Sequence, residues 1–404
     1  MTQTATTKPA VSLPATNKPA LPKLLFYTHG LVDGGGERLW ACLATAFHQR
    51  GYPVIFVQDF EATDNAHNLD PAIPVFTLGR NHYKATKRLI EILQTERPAV
   101  SLSGIGASNA KMMVALRFAD VPAQPILTYH GFKEWQTGLL SFATYLALPK
   151  LSEMAARTVA VSSGLREQLV HRWGAIAQNT VCIHNPVFFP DNAPVPTAQE
   201  LASREDVILS VGRLVAEKDF TTLVRAFARL DRPNAKLVIL GKGPQQAKLE
   251  AEIARLGLKG RVELPGYSKE PWSHYARAKC FVSSSNSEPF GNVVVEAMAY
   301  GLPVVATACD GPQEILQHGT HGRIVSVGDH VQLAHAIADT LDNPGDPAVR
   351  RARANDFSFA VRVPAYQALI DEVLAEQRIA LAQKSINAGQ SRKTPDNALP
   401  REAQ

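Results

Sequence analysis

Glu288 and Glu296 stand either side of seven residues in SSSNSEPFGNVVVEAMAYGLPVVAT, residues 283–307. A carboxylate pair of this kind can hold hydroxyl groups, pair with cations, or divide acid and base roles across a scissile bond. Glu288 precedes a predicted helix at 291–300, which Gly301 and Pro303 terminate. Its carboxylate and the backbone N–H groups of Phe290, Gly291 and Asn292 can therefore face one pocket at the positive end of that helix. Glu296 falls mid-helix beside Val293, Val294 and Val295, where an unpaired carboxylate is costly. The plainer alternatives are a solvated Glu288 and a Glu296 engaged in a structural ion pair.

Cations and glycines recur at other turns. Arg213 and Lys218 flank a strand-to-helix turn in GRLVAEKDF (212–220), close enough in sequence to reach one diphosphate. Gly241 lies in a second such turn, LGKGP (240–244), and Tyr267 follows the LPG that ends another strand. Gly35 and Gly36 belong to HGLVDGGGER (29–38), a turn after the first strand able to present N–H groups to a phosphate or a sugar. His130 ends the apolar run 126–129. A lone histidine, a solvated cation or a glycine supplying only a tight turn is the simple alternative at each position.

These turns need strands and helices to carry them. Short apolar runs at 24–27, 54–57, 75–78, 100–102, 126–129, 159–161 and 181–183 alternate with helical stretches. After the linker PDNAPVP (190–196) a second series follows, at 207–212, 237–240, 262–264, 281–282, 304–306 and 324–327. Such alternation predicts two α/β domains, each a doubly wound parallel sheet, with ligands bound between the carboxyl ends of their strands.

The stretch EPFGNVVVEAMAYGLPVVAT closely resembles the donor-site motif of the family-4 retaining glycosyltransferases. GRLVAEKDF and ILGKGP resemble that family's phosphate-binding and nucleotide-side loops, and TYHG (128–131) its cleft histidine. AVSSGLREQL (160–169), Asn185-Pro186 and DGPQEI (310–315) are similar to segments lining the family's cleft and hinge. The resemblance implies the GT-B fold, two Rossmann-like domains facing a central cleft. Domains at 23–189 (acceptor side) and 190–360 (nucleotide-sugar side) follow, with a helix at 361–382 crossing back to the first. It further implies transfer with retention from a nucleotide sugar, by family frequency UDP-linked, without a metal or other cofactor. Arg213 and Lys218 would take the diphosphate, Glu288 the sugar hydroxyls, Glu296 the ribose and His130 the donor sugar. Gly35, Gly36, Gly241, Tyr267, Phe290, Gly291, Asn292 and Val293 would border the donor. A glycan or lipid-linked acceptor of the cell envelope is the implied partner. A nucleotide-sugar 2-epimerase and a non-catalytic sugar-binding protein are the other readings of such a chain. Ser162 lacks the elbow and triad order of a hydrolase, neither half carries the dinucleotide glycine spacing, and no D-x-D loop offers a metal-bound diphosphate.

Composition narrows the classes. The 404 residues carry a net charge of +5. Residues 1–23 hold +3 and residues 378–404 another +3, so the body is close to neutral, which argues against a nucleic-acid partner. The tails 1–22 and 383–404 read as disordered. Cys42, Cys182, Cys280 and Cys309 are isolated, the pattern of reduced thiols in a cytoplasmic protein. Arg80, Lys84, Lys87 and Arg88 are predicted to share one helix face, either simply solvated or set against anionic lipid at the inner face of the plasma membrane. Phe132, Trp135, Leu139, Leu140, Phe142, Tyr145, Leu146 and Leu148 would extend that patch or pack into the core.

Overall fold

The computed structural model describes residues 20–32 and 34–391. Most of the tail expected at 1–22, and 392–404 of the C-terminal one, lie outside the described residues. The first sheet contains β1 (Leu24–Thr28), β2 (Val54–Gln58), β3 (Val75–Thr77), β4 (Val100–Gly104), β5 (Gln124–Tyr129), β6 (Arg157–Ala160) and β7 (Thr180–Cys182). All are parallel, in the order β3-β2-β1-β4-β5-β6-β7. The second contains β8 (Val207–Val211), β9 (Lys236–Leu240), β10 (Val262–Gly266), β11 (Cys280–Ser283), β12 (Val304–Thr307) and β13 (Arg323–Val325). Their order is β10-β9-β8-β11-β12-β13, again parallel. Strands β1, β2 and β4 are buried along their whole length, as continuous apolar strands covered on both faces must be. The expected pair of doubly wound sheets is what forms.

Both sheets wind outward from one strand and resume on its other side. The switch points are β1/β4 in the first domain and β8/β11 in the second. At a switch point the loops leaving the two strands diverge and open a crevice, so the chain's polar turns collect there. β1 leads into the glycine turn before α1 (Gly35–Gln49), β8 into Gly212-Arg213, and β11 into the segment carrying Glu288.

The chain crosses between domains twice. On the way out Val187 N–H donates to the Phe357 carbonyl (2.8 Å), and Ala193 is buried, so the linker is docked against its surroundings. On the way back the Phe359–Ser391 helix packs on the first domain. Its Val363, Tyr366, Leu369, Ile370, Val373 and Leu374 share a core with Leu24, Phe26, Trp40 and Val100. Each such side chain contributes about 1.5–3 kcal/mol when fully buried. Arg157 on β6 adds ion pairs to Glu372 (2.7 Å) and Glu376 (2.6 Å). The helix continues past Ala382 to Ser391, where a disordered tail was expected. The reason lies in AQKSINA (382–388), which offers no Gly or Pro to stop it before Gly389.

Arg80 does not share a helix face with the other cations of its group. The helix α2 spans His82–Glu96, begun by Asn81, whose side chain accepts the Lys84 N–H (3.0 Å), and Arg80 lies before that cap with its guanidinium over Phe60. Two further helices complete this side of the domain: α3 (Gly106–Ala119), which packs against both α2 and α4 (Leu139–Leu146).

Candidate functional site

The second domain builds its half of the site by lashing two turns together. Asp219, at φ 43°, caps the Phe220–Ala228 helix by accepting the Thr222 N–H (3.3 Å) and hydroxyl (2.7 Å). The Ser284 hydroxyl donates to the Lys218 carbonyl (2.9 Å) and the Asn286 N–H to the Glu217 carbonyl (2.8 Å). These bonds tie the β8 and β11 turns together. Across them the Lys218 ammonium contacts the Glu288 carboxylate directly, and the Ser285 hydroxyl approaches the same oxygen at 3.5 Å. Arg213 is exposed, and its guanidinium has no hydrogen bond or ion pair among the described residues.

Glycines set how closely these loops approach. Gly241 has φ 142°, and a Cβ there would lie 1.9 Å from the Gly212 carbonyl oxygen. A Cβ on Gly243 would lie 2.5 Å from the Leu214 oxygen, and one on Gly311 would lie 2.1 Å from the Phe290 oxygen. Tyr267 sits on the same rim, its ring 5.2 Å from the Lys242 ammonium. Gly291, at φ 102°, precedes the Asn292–Ala299 helix; Phe290 is buried beneath it, while Asn292 and Val293 are half-buried.

Glu296 is buried on that helix. Its two oxygens take different partners: the Tyr275 hydroxyl donates to one (2.9 Å), and Arg38 of α1 approaches the other (3.4 Å). Burial pushes the Glu296 carboxyl up, against the pull of Arg38 and Tyr275. The Arg38 guanidinium is held 5.7 Å from the Trp272 ring and 5.9 Å from Phe188.

The first domain supplies the opposite wall. A Cβ on Gly35 would lie 3.4 Å from Asn292 Nδ2, and one on Gly36 would lie 3.8 Å from His130. Asn185 at the hinge donates to Asn292 Oδ1 (3.0 Å). The Thr128 hydroxyl donates to the Ser103 carbonyl (3.0 Å), so its oxygen accepts from His130 Nε2–H (3.0 Å). His130 Nδ1 is then a bare lone pair, without a partner among the described residues. Burial holds the His130 imidazole down at about 4, neutral at pH 7. Glu134 accepts the His130 N–H (3.0 Å) and the Gly106 N–H (3.1 Å). Burial outweighs these donors and lifts the Glu134 carboxyl to about 7.

The structure thus gathers Arg213, Lys218, Glu288, Glu296, Gly241 and Tyr267 on one wall and Gly35, Gly36 and His130 on the other. Ser162 instead caps a short helix by accepting the Leu165 N–H (3.2 Å). Sequence reasoning gave no role to Arg38, Glu134 or Tyr275. It also missed a clasp between the domains, where His184 Nε2 lies 2.6 Å from Glu314 Oε1 and the Ser163 hydroxyl donates to that oxygen (2.8 Å). Burial raises the Glu314 carboxyl, but His184 and Ser163 together pull it below its ordinary value. Cys182 completes a group that, among the described residues, has metal-ligand spacing, all its ligand atoms within 4.8 Å of one another. Chemically, the main cleft offers cations for a diphosphate and carboxylates for hydroxyl groups.

Two family models match the chain in tandem: Glycosyltransferase Family 4 over residues 33–188 and Glycosyl transferases group 1 over residues 195–357. The lipopolysaccharide core biosynthesis glycosyltransferase LpsE of Rhizobium meliloti (strain 1021) is 40% identical over 131 residues, 32% of this chain and 38% of the relative. A Campylobacter jejuni N-acetylgalactosaminyltransferase, named for a diphospho-undecaprenol-linked disaccharide, is 31% identical over 195 residues, 48% of this chain and 52% of the relative. The chain therefore spans about half or less of the length of these relatives. Anabaena HepE, solved with UDP and glucose, superposes with a TM-score of 0.72 at 21% identity, over 88% of this chain and all of HepE. That likeness is one of fold.

Proposed function

Because the chain belongs to the group 1/family 4 glycosyltransferases, we propose that it moves a sugar with retention from a nucleotide sugar, UDP-linked, to a glycan or lipid-linked acceptor of the cell envelope. The observation that carries this reading is the Lys218–Glu288 contact at the β8/β11 switch point, with Arg213 unpaired beside it. The two charges neutralise each other. A donor gives each its own partner: the diphosphate takes Lys218 and Arg213, and a sugar hydroxyl takes Glu288. As the bond to the sugar breaks, negative charge gathers on the leaving diphosphate, where two cations stabilise it without a metal ion. His130 is assigned to the donor sugar and Glu296 to the ribose.

LpsE and the Campylobacter relative support an envelope acceptor through their names, and HepE supports UDP as the nucleotide. The same reading places the enzyme in the cytoplasm, with its first domain in peripheral contact with anionic membrane. Among the described residues no helix is long and apolar enough to cross a membrane.

The two glutamates test the division of labour. Glu296→Gln is expected to weaken UDP and UDP-sugar alike, roughly ten- to a hundred-fold, the range for a lost charged hydrogen-bonding partner. Glu288→Gln is expected to keep UDP affinity near wild type while turnover falls, because only sugar positioning is lost. Calorimetry with UDP alongside transfer rates, all in excess EDTA, reads both. Equal weakening of UDP by the two variants, or loss of transfer on chelation, would sink the assignment; conversion of the donor to its 2-epimer with no acceptor present would make the protein an epimerase.

A further inference from the structure

A cavity of about 480 Å³ opens between the domains, lined by Phe132, Lys133, Trp135, Gln168 and Arg172 of the first and by Ser287 and Asp310, among others, of the second. That volume is in the range of ligand pockets. Ser287 is the immediate neighbour of Glu288, and Asn286, also in the lining, donates its N–H to the Glu217 carbonyl (2.8 Å), so the cavity adjoins the proposed sugar position.

Its charge is divided. Asp310 is the only acid of the lining and stands on the second domain's wall. Lys133 and Arg172 stand on the first domain's wall, and the side chain of neither has an ion pair or hydrogen bond among the described residues. Arg172 is nonetheless held in place: its guanidinium lies 5.4 Å from the Trp135 ring and 5.5 Å from Trp173, and those two indoles pack 5.7 Å apart. An arginine fixed on aromatic faces loses little freedom when an anion arrives, and its fork suits phosphate and carboxylate. Trp135 and Phe132, both half-buried, offer apolar surface to a sugar ring.

We propose that this cavity is the acceptor subsite and that it selects an anionic saccharide, a sugar carrying phosphate or carboxylate, through Arg172 and Lys133. The inference rests on the glycosyltransferase reading for the word acceptor, while the anion preference is independent of it.

The test titrates full-length protein by calorimetry at 0.15 M salt, with and without UDP. Three saccharides of equal length are used: tetragalacturonate for carboxylate, a phosphorylated maltotetraose for tetrahedral oxyanions, and neutral maltotetraose. Wild type is expected to bind at least one anionic probe with 1:1 stoichiometry, at least five-fold tighter than maltotetraose. The probe that binds tells carboxylate from tetrahedral oxyanion selection. Arg172→Gln and Lys133→Gln are each expected to weaken that probe at least five-fold while UDP affinity is unchanged, which also reports that the variants fold. Lys84→Gln, on the far helix α2, is the control and is expected to change nothing. Equal binding by wild type and the Arg172 variant, an equal loss in the Lys84 variant, or no preference over maltotetraose would overturn the proposal. Failure to bind UDP would instead count against the donor reading, since the saccharide titration is read without it.

Discussion

His130 and Glu134 are joined through a backbone N–H, and burial moves them in opposite directions. The imidazole is held at about 4 and the carboxyl at about 7, because each is disfavoured in its charged form. Between about pH 4 and 6.5 the unfolded chain binds the histidine proton and the native protein does not, so this group alone makes stability rise with pH. Between about pH 4.5 and 7 the native protein holds the Glu134 proton and the unfolded chain does not, so that group alone makes stability fall with pH. Each contributes on the order of 3 kcal/mol over its window at about 1.4 kcal/mol per unit, and in the wild type they largely cancel. Removing one exposes the other. His130→Gln is expected to lose stability as pH rises from 4.5 to 7, and Glu134→Gln to lose it as pH falls from 6.5 to 4. Urea unfolding at pH 4.5, 5.5, 6.5 and 7.5 distinguishes them; parallel profiles for wild type and both variants would show that neither group is perturbed in this way.

The β8 and β9 turns form a unit whose spacing one glycine controls. Alanine at Gly241 would meet both an unfavourable φ of 142° and a backbone oxygen at 1.9 Å, so the Gly212–Leu214 turn carrying Arg213 must shift. Gly241→Ala is expected to cost about 2–4 kcal/mol of stability and at least ten-fold in UDP affinity. Gly79 also has a positive φ, 96°, but nothing lies within 4 Å of its Cβ position, so Gly79→Ala should cost only about 1 kcal/mol and leave UDP binding alone. Equal effects at the two positions would mean that close approach is unimportant. Elements of this kind were legible in the sequence because their causes are local. Apolar runs such as 281–282 and 304–306 mark buried parallel strands, and the glycines just after β1, β3, β5, β8 and β9 mark their turns. Strand ends shifted by a residue or two, as at β13, where backbone pairing stops at Val325 and not at Val327. The Arg38–Glu296 contact and the His184–Glu314 clasp were not legible. Their partners are 258 and 130 residues apart and meet only through the relative placement of two domains, which no local pattern encodes.

At the scale of the molecule, the first domain presents an apolar surface that the second does not cover. On α2, α3 and α4 respectively, Tyr83, then Val114 and Phe118, then Leu139, Leu140, Phe142 and Leu146 are exposed, Leu139 at 90%. By contrast Tyr145 and Leu148 are buried and Phe132 and Trp135 half-buried, so only part of that aromatic stretch is core. Two of the nearby cations are already committed, since Arg88 pairs with Glu91 (3.2 Å) and Lys150 with Glu153 (2.7 Å). Lys84 and Lys87 are exposed and without side-chain partners among the described residues. Apolar side chains that insert and cations that meet anionic headgroups are the two ingredients of reversible membrane binding, each basic residue worth about 1 kcal/mol near such a surface. The contributions separate by lipid charge and salt. Lys84→Glu/Lys87→Glu is expected to release the protein from vesicles rich in anionic lipid, with the difference from wild type shrinking as salt rises. Leu139→Asp/Phe142→Asp is expected to weaken sedimentation with both anionic and neutral vesicles and to do so at every salt concentration. If wild type and both double variants sediment equally with anionic vesicles, this face is merely solvated and a lipid-linked acceptor must reach the cleft by another route.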